Sequence, residues 1–316
     1  MKFRMKALWA VVMIPLTMTV TAANVEAEGI TENWVAESED GAQGTDGTES
    51  DSGPYLFEWL TGEHRESLKE LDLNKAKGPI EGIQPTDYVS LPDIEGQNIT
   101  PPDKEAPTEE EILSRLYPYL PYNNDGTRAS ITGKWLAEIS GDTVFNKKDA
   151  VSRLKPIAEQ GTAVRQKLSV YYQALNSVME NSPGENYFIA PPDTAVQKYM
   201  DYYQKNSSAY AGKLGISESQ LKEKYALHKP DMDKALEKEG KEYLGSAIVS
   251  DYIIGKYGKE MTDDDYNQMA YDSLALTGVP VMVSDFDNFQ KFLLRTKLRE
   301  LYAEETIGEF YLNGGK

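Results

Sequence analysis

Residues 147–181 read KKDAVSRLKPIAEQGTAVRQKLSVYYQALNSVMEN. Apolar or small residues recur through this stretch at steps of three and four: Val151, Leu154, Ala158, Gly161, Val164, Leu168, Tyr172, Leu175 and Met179. That spacing is the signature of an amphipathic helix, and its length predicts a rod of about 50 Å at ~1.5 Å per residue. Pro156 lacks a backbone donor, so a kink is expected near the start.

Downstream, the same period continues between turn signals. Pro191-Pro192-Asp193 opens a helix with Val196, Met200, Tyr203 and Tyr210 on one side. Ser217 and Gln220 form a capping box after Gly215. Lys229-Pro230 begins a long helix through Leu236, Tyr243, Ala247 and Ile254 that ends at Gly258. Thr262 to Asp265 caps the next, closed by Gly278 and Pro280. Ser284 is expected to cap the last, with Phe286, Phe289, Leu293 and Leu301 inward. Upstream, Thr108-Glu-Glu-Glu111 is a capping box before Ile112, Leu113 and Leu116, and Pro118 and Pro121 stop that helix. Asn123-Asn-Asp-Gly126 is a turn. Residues 87–100 alternate as extended chain would, and residues 54–82 fit either a short docked helix or a loose appendage. The fold class is all-α: an elongated multi-helix body preceded by a short extended linker.

The chain opens with Lys2, Arg4 and Lys6, an apolar run from Ala7 to Val20, and small residues up to Ala27. This is the pattern of a secretory signal peptide, cleaved after Ala27 or, as second choice, after Ala23. The run is interrupted by Pro15 and falls short of the ~20 residues that span a bilayer. Residues 36–53 (AESEDGAQGTDGTESDSG) hold too little apolar surface to offset ordering entropy and read as an acidic tether. The expected organisation is therefore 1–27 signal, 28–53 tether, 54–121 N-terminal segment and 122–316 helical domain. The protein is expected outside the cytoplasm, secreted or at the cell envelope.

The net charge is −18, and residues 1–27 carry +2, which leaves the rest near −20. A nucleic-acid binder has to neutralise phosphates with Lys and Arg, so no nucleic acid partner is expected, nor strong membrane binding after signal cleavage. With 0 cysteines, disulfides and thiolate chemistry are excluded. The two histidines, His64 and His228, stand in no metal-ligand spacing. Asp231, Asp233 and Glu242 imitate a calcium loop, and Asp285 and Asp287 do so faintly, but Leu236 occupies the position that needs glycine. No nucleophile elbow, phosphate loop or dinucleotide fingerprint occurs. No catalytic residue, metal or cofactor is expected.

Residues 131–306 resemble the C-terminal, substrate-cradling domain of trigger factor and its exported, SurA-like relatives. The likeness rests on four stretches. They are ITGKWLAEIS at 131–140, the 147–182 helix with its exit VMENS, LGISESQL at 214–221, and YGKEMTDDDY at 257–266. Tyr88 to Leu116 is similar to the linker strand and capped helix that precede the family's prolyl isomerase domain. The Gly-Phe-Arg ribosome-docking loop is missing, and between Tyr122 and Ile131 there is only a turn where an isomerase domain of at least ~50 residues would stand.

The resemblance implies a chaperone scaffold without its catalytic domain, holding unfolded or nascent secreted polypeptides and no ribosome. Two other classes stay open: a helical surface protein with one dedicated partner, and a peptidyl-prolyl isomerase by family association. The chain has 20 tyrosines and 10 methionines. Both residue types suit adaptable contact with many partners. The candidate client-binding residues are Tyr171, Met179, Tyr199, Met200, Tyr203, Tyr210, Met269, Tyr271 and Phe289. The pairs Tyr171-Tyr172, Tyr199-Met200 and Tyr202-Tyr203 lie about 100° apart on a helix, so some of these rings are expected in an exposed apolar patch.

Overall fold

The computed structural model describes residues 55–314 apart from 63–64, 124–125, 182–186, 214–216, 218, 221–231 and 282–285. The expected signal peptide, the acidic tether, His64 and His228 lie outside the described residues. Among the described residues 68% is helical and none is in a strand, so the chain is all-α at this level. The helices are α1 (Leu56–Thr61), α2 (Glu109–Ser114), α3 (Gly133–Ile139), α4 (Lys147–Asn181), α5 (Asp193–Lys213), α6 (Met232–Tyr257), α7 (Asp263–Thr277) and α8 (Asn288–Leu312). None of them is long and apolar enough to cross a membrane.

The 147–181 periodicity becomes one helix, α4, that runs through Pro156. Pro156 and Ser152 both stand at exposed positions, so the carbonyl that loses its partner at the proline faces water. On the buried side, Leu154, Ile157, Ala158 and Val164 are at most 2% exposed. Further along, Val170, Tyr171, Ala174, Leu175 and Val178 continue the core over a wider arc. The arc is wide because α4 packs against both α7 and α8. Each leucine, isoleucine or valine among them contributes about 1.5–3 kcal/mol by leaving water. Helix α8 in turn packs on α6 and α7, and α5 packs on α6. Two glycines permit the tightest crossings. A Cβ on Gly161 would lie 2.0 Å from Ala275 O at α7, and one on Gly308 would lie 2.4 Å from Lys167 O of α4.

Helix starts follow local chemistry. At α2, Thr108 Oγ1 accepts from the Glu111 N–H at 3.3 Å, and Glu111 Oε2 accepts from the Thr108 N–H at 2.7 Å. Ser217 and Gln220 make the same reciprocal pair at 2.9 and 3.2 Å. At α7, Thr262 Oγ1 accepts from the Asp265 N–H at 3.3 Å and Asp265 Oδ2 accepts from the Thr262 N–H at 2.8 Å. Replacing Thr262 by alanine is expected to cost about 1 kcal/mol and to lower the melting temperature by roughly 2–4 °C, measured by thermal circular dichroism.

The last helix starts later than expected from Ser284. Its N-cap is Asp287, whose Oδ1 accepts from the N–H groups of Phe289 and Gln290, while Gln290 Oε1 accepts from the Asp287 N–H. Both Ser and Asp cap helices well; Gln290, three residues on, closes the box at Asp287.

The described residues of 54–117 and 130–316 form one compact unit. In it, the N-terminal piece is docked: Phe57, Leu60, Leu68 and Leu73 are at most 3% exposed, and 3₁₀ turns at Arg65–Leu71, Leu73–Lys75, Gly78–Ile80 and Pro85–Asp87 carry the chain across the helices. Residues 87–100 form no strand. Val89 and Phe188 make an isolated antiparallel bridge, and a glycine turn at Gly96 follows. The other unit comprises, among its described residues, Pro118–Ala129. There Tyr122 and Arg128 are bridged, with the Asn123 N–H donating to Thr127 O at 2.7 Å and the Arg128 guanidinium 4.6 Å from the Tyr122 ring centroid.

Candidate polypeptide-binding surface

The nine candidate residues separate by burial. Tyr171, Tyr199, Met269 and Phe289 are core residues, no more than 8% exposed. Met179, Met200, Tyr203 and Tyr271 are half-buried. Tyr210 lies on α5, and its side chain is outside the described residues. In the pair Tyr171-Tyr172 the first ring is buried and the second half-buried, donating to Glu304 Oε1 at 2.6 Å. A helix with neighbours on two sides buries more than one narrow stripe.

Around Tyr199 the candidates do come together. Helices α5, α6 and α8 share an aromatic cluster built on Tyr199, Tyr243, Phe289 and Phe292. Ring centroids lie 5.2 Å apart for Tyr199–Tyr203, 5.7 Å for Tyr199–Tyr243 and 5.8 Å for Tyr199–Phe289. Tyr202 stacks on Phe289 at 3.6 Å and donates to Asp287 Oδ2 at 2.5 Å. Met200, Tyr202 and Tyr203 pack against the cluster and stay partly exposed. Burial, with Glu239 nearby, lifts the Tyr203 hydroxyl to about 12, so it stays protonated and can donate. This face is an aromatic core with a Met/Tyr rim.

A second set of tyrosines, not among the candidates, holds the chain at 91–97. Tyr252 of α6 donates to Leu91 O at 3.3 Å. Tyr257, also of α6, accepts from the Ile94 N–H at 3.0 Å and donates to Asp93 Oδ1 at 2.8 Å. Tyr311 of α8 accepts from the Gln97 N–H at 3.0 Å and donates to Ile94 O. Ile94 O and Gln97 N–H are the two groups a tight turn would pair directly. The Tyr311 hydroxyl thus sits inside an open turn whose third residue is Gly96, at φ +95°. Burial raises the Tyr257 and Tyr311 hydroxyls above their usual range. Tyr252 stands off the stripe of Leu236, Tyr243, Ala247 and Ile254, whereas Tyr257, three residues after Ile254, continues it; nothing in the sequence names the partner segment of either.

Behind these faces runs a buried ionic network on α8. Glu304 is 9% and Glu305 3% exposed. Lys167 Nζ lies 2.8 Å from Glu305 Oε2 and 3.6 Å from Glu309 Oε2. Glu300 Oε1 accepts from Ser246 Oγ at 2.5 Å. Desolvation, with Asp272 adding repulsion, pushes Glu305 up to about 7 despite Lys167. Glu304 stands well above the usual carboxylate range, through burial and then Glu300. Burial likewise lowers the Lys297 ammonium. Arg299 is satisfied differently, donating to Asp251 Oδ1 at 2.5 Å and Glu260 Oε1 at 2.6 Å.

These groups join helices rather than line a cleft. The hollow beside Tyr271, bounded by Trp59, Gly62, Leu68 and Leu274, measures about 20 Å³, room for about one water. Among the described residues no three carboxylate or histidine side chains are grouped to hold a metal ion. Comparison of the chain with family models, with curated proteins and with solved structures found no match.

Proposed function

We propose that this protein is an exported holdase-type chaperone that binds unfolded or nascent secreted polypeptides. The observation that carries the reading is the half-exposed Met200, Tyr202 and Tyr203 rim on an otherwise buried aromatic cluster. Thioether and phenol side chains adapt to varied partners and tolerate water when no client is present. The resemblance of residues 131–306 to the trigger factor and SurA-like cradle supports the same reading, as does the signal-like N-terminus. In this reading the scaffold is elongated, and small-angle scattering is expected to give a radius of gyration above that of a compact sphere of equal length.

The test is aggregation suppression with two unrelated chemically unfolded proteins. Suppression of both at near-stoichiometric chaperone is expected. Binding to a single protein from a mixture, with no suppression, would replace the proposal with a dedicated interaction protein. Catalysed isomerisation of a proline peptide would support the enzyme reading. Changing Met200 and Tyr203 together to serine is expected to weaken client binding about tenfold, or ~1.4 kcal/mol, while helicity is retained. Unchanged binding would remove the rim from the site.

A further inference from the structure

We propose that the cleft between α4, α6 and α8 is a peptide-binding groove that reads main-chain atoms, and that residues 91–102 occupy it as an internal, displaceable strap. Four side chains from three helices reach main-chain atoms of this segment. Tyr252 contacts Leu91 O, Tyr257 the Ile94 N–H, and Tyr311 both Ile94 O and the Gln97 N–H. Gln166 of α4 donates to Pro102 O at 2.6 Å. Hydrogen bonds to the main chain are indifferent to which side chains the bound segment carries. Peptide-recognition sites that use them take affinity from the backbone and selectivity from pockets for a few side chains.

Two such pockets are filled here, by Leu91 at 4% and Ile94 at 0% exposure. Lys256 Nζ lies 3.9 Å from Asp93 Oδ1 and 4.7 Å from the Tyr257 ring centroid. The groove therefore suits a segment with apolar residues three positions apart, an acidic residue just before the second and a turn straight after it. The strap has slack on one side, since residues 101–106 are all exposed before α2 begins. It can leave without undocking α2. As an intramolecular occupant it acts at an effective concentration on the order of millimolar, so weak clients stay excluded until they compete at that level. The identity of those clients rests on the chaperone reading; the groove itself does not.

The probe is a fluorescently labelled synthetic peptide with the sequence of residues 88–102, titrated onto the full chain. Full-length protein carrying Leu91→Ser and Ile94→Ser is expected to bind it at least tenfold more tightly than wild type. Adding Tyr257→Phe and Tyr311→Phe to that variant is expected to weaken binding again by about tenfold. A peptide with serine at the Leu91 and Ile94 positions should bind neither protein. Equal binding to wild type and to the folded double variant would overturn the proposal.

If the double variant does not fold, amide exchange on wild type decides. Excess peptide is expected to speed exchange at Ile94 and Gln97 at least threefold and to leave Val164 unchanged. Unaltered rates at Ile94 and Gln97 would overturn the proposal. Peptide capture without aggregation suppression keeps the groove and removes the chaperone reading; suppression with no strap response does the reverse.

Discussion

Replacing Gly161 with alanine is expected to lower the melting temperature by roughly 2–12 °C, against the ordinary preference of helices for alanine. In a free helix the change would stabilise by about 0.5–1 kcal/mol. Here the added methyl would meet Ala275 O at 2.0 Å and the Arg115 Nη2 at 2.6 Å. A carbonyl in a helix end cannot rotate away as a side chain does, so α4 and α7 must separate. Overpacking of this kind costs ~1–3 kcal/mol or more.

The same shift disturbs Arg115, which donates to Leu274 O at 3.2 Å and to Ala275 O. Those carbonyls belong to the last turn of α7, where a helix leaves acceptors unpaired and favours a cation. Burial, and then Arg165 nearby, lowers the Arg115 guanidinium to about 10, still cationic at neutral pH. The controls are Gly245→Ala and Gly255→Ala in α6, where an added methyl has nothing within 4 Å. Each is expected to raise stability by about 0.5–1 kcal/mol. Thermal melts of the three variants check the sign reversal; a Gly161→Ala protein as stable as the controls would refute the close crossing.

Stability is expected to fall as pH rises from about 5 to 8, by on the order of 1–3 kcal/mol. Glu305 ionises at about 7 in the folded protein, above the ordinary value of 4.5. Glu304 and Glu300 are also raised, mainly by burial. Between the two values the folded state holds more protons than the unfolded chain. Raising the pH therefore favours unfolding, and the stabilisation present below about 4.5 is lost as pH passes through about 7.

The groups that face these carboxylates are Lys167, Tyr171 and Tyr172 on α4, Asp272 on α7, and Lys297 and Glu309 on α8 itself, with the Ser246 hydroxyl from α6. Lys167 moderates the effect, since burial depresses it but Glu305 and Glu309 together hold it above its ordinary value. The net negative charge of the chain pushes in the same direction, so acid alone does not identify the cause. Glu304→Gln does: its side-chain oxygen still accepts from Tyr172, and the buried charge is gone. The variant is expected to melt higher at pH 8 and to show a smaller pH dependence than the wild type. An unchanged pH profile would locate the effect elsewhere.

Helix starts were legible wherever the chemistry is local. Thr108 with Glu111 and Thr262 with Asp265 signal their own caps within four residues, and the structure uses both. The Asp287–Gln290 box is equally local, but Ser284 lies in the same stretch and offers a competing cap. The candidate surface was less legible, because exposure depends on how many neighbours a helix has. Tyr171 and Tyr172 cannot share one stripe, but α4 lies against both α7 and α8, and both rings lose solvent. Tyr199 likewise reads as a possible surface ring until α6 and α8 close around it. The contacts of Tyr311 with Ile94, and of Tyr172 with Glu304, join residues 217 and 132 positions apart. No periodicity encodes such a pairing. The α8 carboxylates were invisible for a related reason: in an acidic chain a buried glutamate looks like any other.

Ribosomes make a chain from its first residue onward, and this gives the hydroxyl of Tyr311 inside the 94–97 turn a meaning in time. The turn is made early; its partner is among the last residues of α8. Until that helix emerges, the Ile94 carbonyl and the Gln97 N–H lack this hydroxyl, whereas the Ile94 N–H already has Tyr257 of α6 as an acceptor. Closing a contact over more than 200 residues is slow compared with forming a helix. The 94–97 turn is thus closed by Tyr311 only after α8 has been made, long after the turn's own residues.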